Sequence, residues 1–396
     1  MEEHPAGRLF MPSTKIKNIA YRVLLPLRAP KADHNPISVV NGHPLCSENE
    51  LASILRKHHV LGGAVLVSSR NDEALILSRC TETSQAADPD SMFRVASITK
   101  TATAMVVLRL RDEGLLDLNE PVTQILPDSG NLAELQGVTL FHLLSHTSGL
   151  ADPAGFESLL ENGCLYHDAV RGTRFSEPGT VFRYSNLGFG LIGCILEAVS
   201  GLPLGALFRE KLFEPLKMNA TLEGCLLPPE KIMPVIRVLP YHPGNGLTLT
   251  SLGKVPLSHP DPLRHYGHTA GSMYTDIASL HKMICCIRDG GAPLLSADSV
   301  SLMTQQHAAY GAVSPSLAYG LGLLIIQDPA LSGGRILGHQ GFAYGCSDGA
   351  FWDEETGNVI ISLNGGCSEA RTGRLGLCNR DMLRWAFRKE LPQWNG

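Results

Sequence analysis

Ser97-Ile98-Thr99-Lys100-Thr101-Ala102-Thr103-Ala104-Met105-Val106-Val107-Leu108-Arg109-Leu110 is the stretch on which the reading of this chain turns. Ile98, Ala102, Met105, Val106 and Leu110 recur at helical spacing, and Gly114 supplies a stop. Ser97 is therefore expected to open a long helix. There its backbone N–H lacks an intrahelical partner, and the helix dipole favours developing negative charge. Lys100 lies nearly one turn further on and shares the same face. A hydroxyl and an amine held together at a helix start are the parts of an activated nucleophile. The same S-x-x-K spacing occurs at Ser251/Lys254 and Ser279/Lys282. Gly253 and Pro256 break any helix around the first, and the second sits deep inside a helix expected over 276–288. Context selects Ser97.

Two further motifs follow in order. Tyr184-Ser185-Asn186 is the one Tyr-x-Asn among nine tyrosines. It follows the turn-like Ser176-Glu177-Pro178-Gly179-Thr180 and precedes an apolar segment, so its side chains can point into a cleft from a loop beside a rigid helix. His339-Gln340-Gly341 lies between strand-like residues, and its glycine suggests an edge where another backbone approaches closely.

Strands are expected at both ends of the chain. Residues 63–69 and 74–78 read as a hairpin turning at Asn71-Asp72, and 319–326, 342–352 and 358–363 as later strands. Residues 51–58 and 374–389 read as helices, and the stretch between Ser97 and Gly290 as mostly helical. The fold class expected is α+β: an antiparallel sheet built from both chain ends and flanked by helices, with a helical lobe inserted. Residues 1–45 form an N-terminal extension. Residues 46–390 form the catalytic domain, with a sheet lobe at 46–96 and 291–390 and a helical lobe at 97–290. The cleft between the lobes is the natural site.

Composition narrows the class. In 396 residues, 44% are hydrophobic and 18% charged, which fits a globular enzyme. The net charge of −5 speaks against a nucleic-acid surface. No apolar run approaches the roughly 20 residues of a membrane span. The N-terminal 20–27 segment is too short and too basic for a signal peptide, and the ten cysteines form no C-x-x-C, so a cytoplasmic protein with free thiols is expected. Gly188-Phe189-Gly190-Leu191-Ile192-Gly193 spells a dinucleotide fingerprint but follows no buried strand, and helix packing explains it better. His142 and His146 stand four apart without the Glu or third ligand of a zinc site, so they read as structural. No metal and no cofactor is expected.

With these motifs in place, the chain resembles the class C β-lactamase-like serine hydrolases. That group includes β-lactamases, D,D-peptidases, family VIII carboxylesterases and lovastatin-type acyltransferases. The likeness spans about 47–390. It rests on Phe93-Arg94-Val95-Ala96-Ser97-Ile98-Thr99-Lys100, on Val138 to Leu150 with its Leu143-Leu144-Ser145-His146-Thr147-Ser148-Gly149-Leu150 core, on Phe182 to Gly188, and on Gly338-His339-Gln340-Gly341. The resemblance implies Ser97 as nucleophile, with Lys100 and Tyr184 sharing the proton work and Asn186 holding the substrate. It also implies an oxyanion hole from the backbone N–H groups of Ser97 and Phe342. His339 and Gly341 line the substrate edge.

The chain departs from the β-lactamase pattern at His339-Gln340-Gly341, where lysine and a hydroxyl residue are usual. An imidazole, with an ordinary pKa of about 6.5, is mostly uncharged at neutral pH and does not attract a carboxylate as lysine does. Phe342 and Tyr344 add apolar surface there. The expected activity is hydrolysis of a small or medium carboxylic ester through an acyl-enzyme on Ser97. Acyl transfer to an alcohol or amine acceptor, β-lactamase or D-peptidase action, and a non-catalytic binding role remain the alternatives. The partner expected is a small-molecule ester or amide.

Overall fold

The computed structural model describes residues 19, 23, 38–40, 48–70, 73–80, 85–238, 241–245, 257–343, 345–367 and 374–387. Ten strands form the main sheet: β1 (Ser38–Val40), β2 (Gly63–Ser68), β3 (Glu73–Cys80), β4 (Gln85–Ala86), β5 (Ala308–Ala309), β6 (Leu317–Tyr319), β7 (Leu324–Ile326), β8 (Ile336–Ala343), β9 (Cys346–Asp353) and β10 (Val359–Asn364). They run in the order β1-β3-β2-β10-β9-β8-β7-β6-β5, with β4 beside β3, and every pairing is antiparallel. Both chain ends supply strands, and β10 of the C-terminal set pairs with β2 of the N-terminal set.

The central strands are buried along their whole length because helices cover both faces. Val65, Phe351 and Ile360 face one side, where they join Leu51, Leu55, Met382 and Leu383 from helices α1 (Glu48–Lys57) and α5 (Leu377–Phe387). Their neighbours Ala64, Leu66, Ala350, Trp352 and Ile361 face the opposite side. There they meet α2 (Thr99–Asp112) and α4 (Ile277–Arg288), and beyond these the helical region that includes α3 (Asn186–Ser200). Helix α2 is buried on nearly every side, from Thr99 to Leu108 and again at Leu110. That burial explains why its sequence has little polar face.

Three expectations change. The run 319–326, read as one strand, is the hairpin β6–β7. Gly322 turns it at φ +70°, and Gly320 passes so close to Met303 that a side chain would collide with its carbonyl. The run 342–352 spans the hairpin β8–β9, with Gly345 at φ +126°, so His339, Gln340 and Gly341 lie within β8. A hairpin at Pro234–Val238 and Tyr241–Asn245 also sits inside the stretch read as helical. The β2–β3 hairpin forms as expected, although its turn at 71–72 lies outside the described residues. Of the extension 1–45, residues 38–40 are edge strand β1, and the remainder except 19 and 23 lies outside the described residues.

The β6–β7 turn locks the sheet to α2. The Thr101 hydroxyl donates to the Gly322 carbonyl at 2.8 Å, and the Gly322 N–H donates to Leu144. A methyl group on Gly322 would lie 2.5 Å from the Ala104 Cβ and 2.8 Å from the Lys100 carbonyl oxygen. Gly322→Ala combines left-handed strain with overpacking and is expected to cost about 2–5 kcal/mol. A lowered urea midpoint would register this; an unchanged midpoint would show that the turn does not carry the packing.

Candidate active site

Ser97 sits in a tight 3-10 turn, Ala96–Ile98, which leads directly into α2. The helix start expected at Ser97 is thus one turn of narrower geometry. Ala96 before it has φ +46°, a left-handed conformation that costs a non-glycine residue roughly 1–2 kcal/mol. Surrounding bonds hold it there. Val95 N–H donates to the Met273 carbonyl, the Thr99 hydroxyl donates to the Ala96 carbonyl at 2.6 Å, and Met273 N–H donates to the Thr99 hydroxyl. Strain held this way fixes the direction of the next side chain.

Lys100 has no exposed surface. Its Nζ donates to Ser97 Oγ at 3.1 Å, to Asn186 Oδ1 at 2.9 Å and to the Ala270 carbonyl at 2.6 Å. The Nζ also stands 4.9 Å from the centre of the Tyr184 ring and 5.7 Å from that of Phe189. Two pairs far apart in sequence, Ser97 with Lys100 and Tyr184 with Asn186, therefore meet around one amine.

Tyr184 is held from behind. Its ring packs at 4.2 Å on His146, whose own ring lies 4.7 Å from Tyr319 and 4.9 Å from Phe189. His146 turns the chain at φ +58° and accepts the Ser185 N–H on Nδ1 at 3.2 Å. The structural role expected of His146 is thus the support of Tyr184. His142 acts separately, in a reciprocal N-terminal cap with Thr139.

The third motif forms the opposite wall. Pairing of β7 with β8 ends at Gly338, so residues 339–343 pass beyond that partner. A side chain on Gly341 would reach within 2.4 Å of the Val95 carbonyl oxygen and 3.3 Å of the Ala96 Cβ. The close backbone approach expected at this glycine is against the Ser97 turn itself, and it brings Phe342 alongside. His339 is buried. A carbonyl can only accept, so Nδ1 carries a hydrogen towards the Gln340 oxygen at 2.7 Å. Nε2 meets the Tyr319 hydroxyl at 2.8 Å. Burial keeps the Tyr319 phenol far above its ordinary pKa, so it remains a hydroxyl. Gln340 binds the backbone of the segment before α5, donating to Arg374 O at 2.7 Å and accepting from Gly376 N–H at 3.0 Å.

Ser97, Tyr184, Tyr310, Leu324, His339, Gln340 and Phe342 line one cavity of about 210 Å³. Tyr310 and Leu324 went unrecognised in the sequence, because tyrosines and apolar strand residues carry no motif. Tyr344, expected beside the site, lies outside the described residues. The glycines of the 188–193 run serve packing: a side chain at Gly190 would lie 2.4 Å from the Tyr266 carbonyl oxygen, and one at Gly193 would lie 2.9 Å from that of His265.

Residues 48–364 match the model of the beta-lactamase family, and the chain belongs to that family of serine hydrolases. It is 31% identical over 263 residues to penicillin-binding protein 4 of Amycolatopsis lactamdurans, covering 64% of this chain and 67% of that protein. It is 26% identical over 384 residues to esterase EstB of Burkholderia gladioli, covering 83% of this chain and 92% of that protein. The solved structure of EstCE1, a hydrolase with promiscuous acyltransferase activity, superposes with a TM-score of 0.66 at 21% identity, over 85% of this chain and 96% of that one. At that identity the likeness speaks to the fold.

The turn His268–Gly271, which presents the Ala270 carbonyl to Lys100, carries a buried imidazole. Burial, with His265 alongside, pushes His268 down to about 3. An unfolded histidine titrates at about 6.5, so the neutral native form contributes stability above that pH and loses it as the pH falls towards 3. Buried His281, lowered to about 4, acts in the same direction. Urea midpoints are expected to drop on acidification through this window. His268→Asn is expected to flatten the slope; a slope that the substitution leaves unaltered would contradict the assignment.

Proposed function

We propose that this protein hydrolyses uncharged carboxylic esters through an acyl-enzyme on Ser97. The observation that carries the reading is the 3.1 Å contact between Ser97 Oγ and the fully buried Lys100 Nζ, at the wall of a cavity shared with Tyr184 and Phe342.

Serine is a weak nucleophile and needs a base within hydrogen-bond reach. Lys100 Nζ stands over the Tyr184 ring, 4.9 Å from its centre, and in this reading the two act as a coupled pair that shares the proton. As Ser97 Oγ forms its bond to the ester carbonyl carbon, its proton passes to that pair. The carbonyl oxygen gains charge and turns towards the N–H groups of Ser97 and Phe342, each such donor being worth about 3 kcal/mol. The tetrahedral intermediate expels the alkoxide, which takes a proton from the pair and leaves as alcohol. Water then attacks the acyl-enzyme and gives a proton to the pair, the pair returns that proton to Ser97 Oγ as its bond to the acyl carbon breaks, and the carboxylic acid departs.

Two features support an ester over a carboxylate-bearing substrate. Among the described residues lining the cavity, none is lysine or arginine. His339 stands where β-lactamases of this type carry a cation, and its ring nitrogens face the Tyr319 hydroxyl and a backbone carbonyl. The similarity to esterase EstB over 92% of that protein points the same way. The similarity to a penicillin-binding protein supports a second reading, in which the acyl donor is a D-peptide or β-lactam.

Ser97→Ala is expected to lower ester turnover by roughly 10⁴-fold or more, with the thermal midpoint unchanged. A panel of p-nitrophenyl esters of increasing chain length, run beside a chromogenic cephalosporin, separates the two readings. Higher kcat/KM on the esters supports the first. Efficient cephalosporin turnover supports the second and overturns the first. Full activity in Ser97→Ala removes both.

A further inference from the structure

We infer that Asp152 is a positioning residue for the proton-transfer pair, acting through Asn186; the inference rests on the reading of Ser97 as the nucleophile. Asp152 follows the turn Ser148-Gly149-Leu150. That turn is fixed in place: Gly149, at φ +74°, lies so near Ser176 that a side chain would collide with its carbonyl oxygen, and Ala151 N–H donates to Thr173 at 2.9 Å. From this loop the carboxylate accepts three hydrogen bonds from three consecutive residues. They come from Ser185 Oγ at 3.0 Å, Asn186 Nδ2 at 2.8 Å and Leu187 N–H at 2.9 Å.

The arrangement decides which way the Asn186 amide faces. A carboxylate only accepts, so it takes the amide nitrogen and leaves Oδ1 to receive Lys100 Nζ at 2.9 Å. With the amide reversed, two acceptors would meet at Asp152 and two donors at Lys100. One Nδ2 hydrogen goes to Asp152, so the Asn186 amide bridges the carboxylate and the amine. A helix cap alone does not account for Asp152. The Ser185 hydroxyl already caps α3 by accepting the Gly188 N–H at 3.0 Å. The result is a continuous path of carboxylate, amide, amine and hydroxyl, from Asp152 through Asn186 and Lys100 to Ser97.

The carboxylate also sets charge. The groups around Lys100 are Ser97 on its own turn, Tyr184 backed by His146, Asn186 and Phe189 on α3, His268 in the 268–271 turn, and His339 on β8 beyond Tyr184. A negative charge one amide away favours the protonated state of the Lys100/Tyr184 pair whichever partner holds the proton. Removing it lets the pair release its proton at lower pH.

The test follows covalent labelling of Ser97 by a fluorophosphonate, read by peptide mass across pH, in wild type, Asp152→Asn, Asp152→Ala and Asp152→Glu. Ester kcat, KM and thermal midpoints are measured alongside. The Asn and Ala variants are expected to label roughly 10- to 100-fold more slowly on the pH plateau, because the amine is misplaced. Their kcat falls while KM changes little, and the acid limb moves down by about half a pH unit. Asp152→Glu, which keeps the charge, retains the wild-type acid limb. Wild-type labelling rates and an unmoved limb in Asp152→Ala overturn the inference. So does a loss that tracks a lowered thermal midpoint with the limb unmoved, since that describes a merely structural residue. If wild type labels elsewhere than Ser97, the nucleophile reading itself fails, and this inference fails with it.

Discussion

A lysine side chain with no exposed surface has to be satisfied by whatever the fold brings to it. An amine buried without partners would cost several kcal/mol. Lys100 receives Ser97 Oγ from its own turn, Asn186 Oδ1 from the start of α3 and the Ala270 carbonyl from the 268–271 turn. Three separate segments must therefore arrive together, and the site is assembled by that requirement. The same burial that makes the amine demanding removes competing water, which strengthens every polar contact within reach. Local strain belongs to the same bargain: Ala96 is held left-handed by bonds to Met273 and Thr99, so that the next residue points into the cavity.

The sheet supplies the other half of the cleft. Strand β7 has only three residues, so its pairing with β8 stops at Gly338 and the next five residues run on as a wall. Gly341 lets that wall close onto the Ser97 turn to a distance that no side chain would permit. The two hairpins β6–β7 and β8–β9 thus perform different tasks. The first pins the sheet to α2 through Thr101 and Gly322, and the second carries His339 and Phe342 to the cavity.

Much of this was legible in the chain. Ser97 and Lys100 could be separated from two other S-x-x-K pairs by the helix that follows them, and Gly341 could be read as a point of close approach. The antiparallel sheet built from both ends also followed from the placement of strand-like runs. The hairpins inside 319–326 and 342–352 did not follow, because a continuous apolar run looks the same whether it goes straight or doubles back. Asp152 left no trace either. It is a loop carboxylate 34 residues from Asn186, and nothing in its local sequence shows what it will bind. The pairing of Tyr319 with His339 and the anchoring of Gln340 to Arg374 and Gly376 are likewise products of tertiary contact. Local patterns reveal groups that act from their own element; they do not reveal groups that act by reaching across to another.

Membership of the beta-lactamase family fixes the chemistry broadly, and esterases and penicillin-binding proteins both stand among the relatives. The proposed chemistry requires Ser97 Oγ, the Lys100/Tyr184 pair and two backbone donors to converge on one carbonyl. A crystal structure of the phosphonylated enzyme tests that convergence most directly. The expected result is a phosphorus atom bonded to Ser97 Oγ, with one phosphonyl oxygen within hydrogen-bond distance of the N–H groups of both Ser97 and Phe342, and the Tyr184 hydroxyl and Lys100 Nζ beside Oγ. A phosphonyl oxygen directed into solvent, or a Tyr184 hydroxyl out of reach of Oγ, would contradict it.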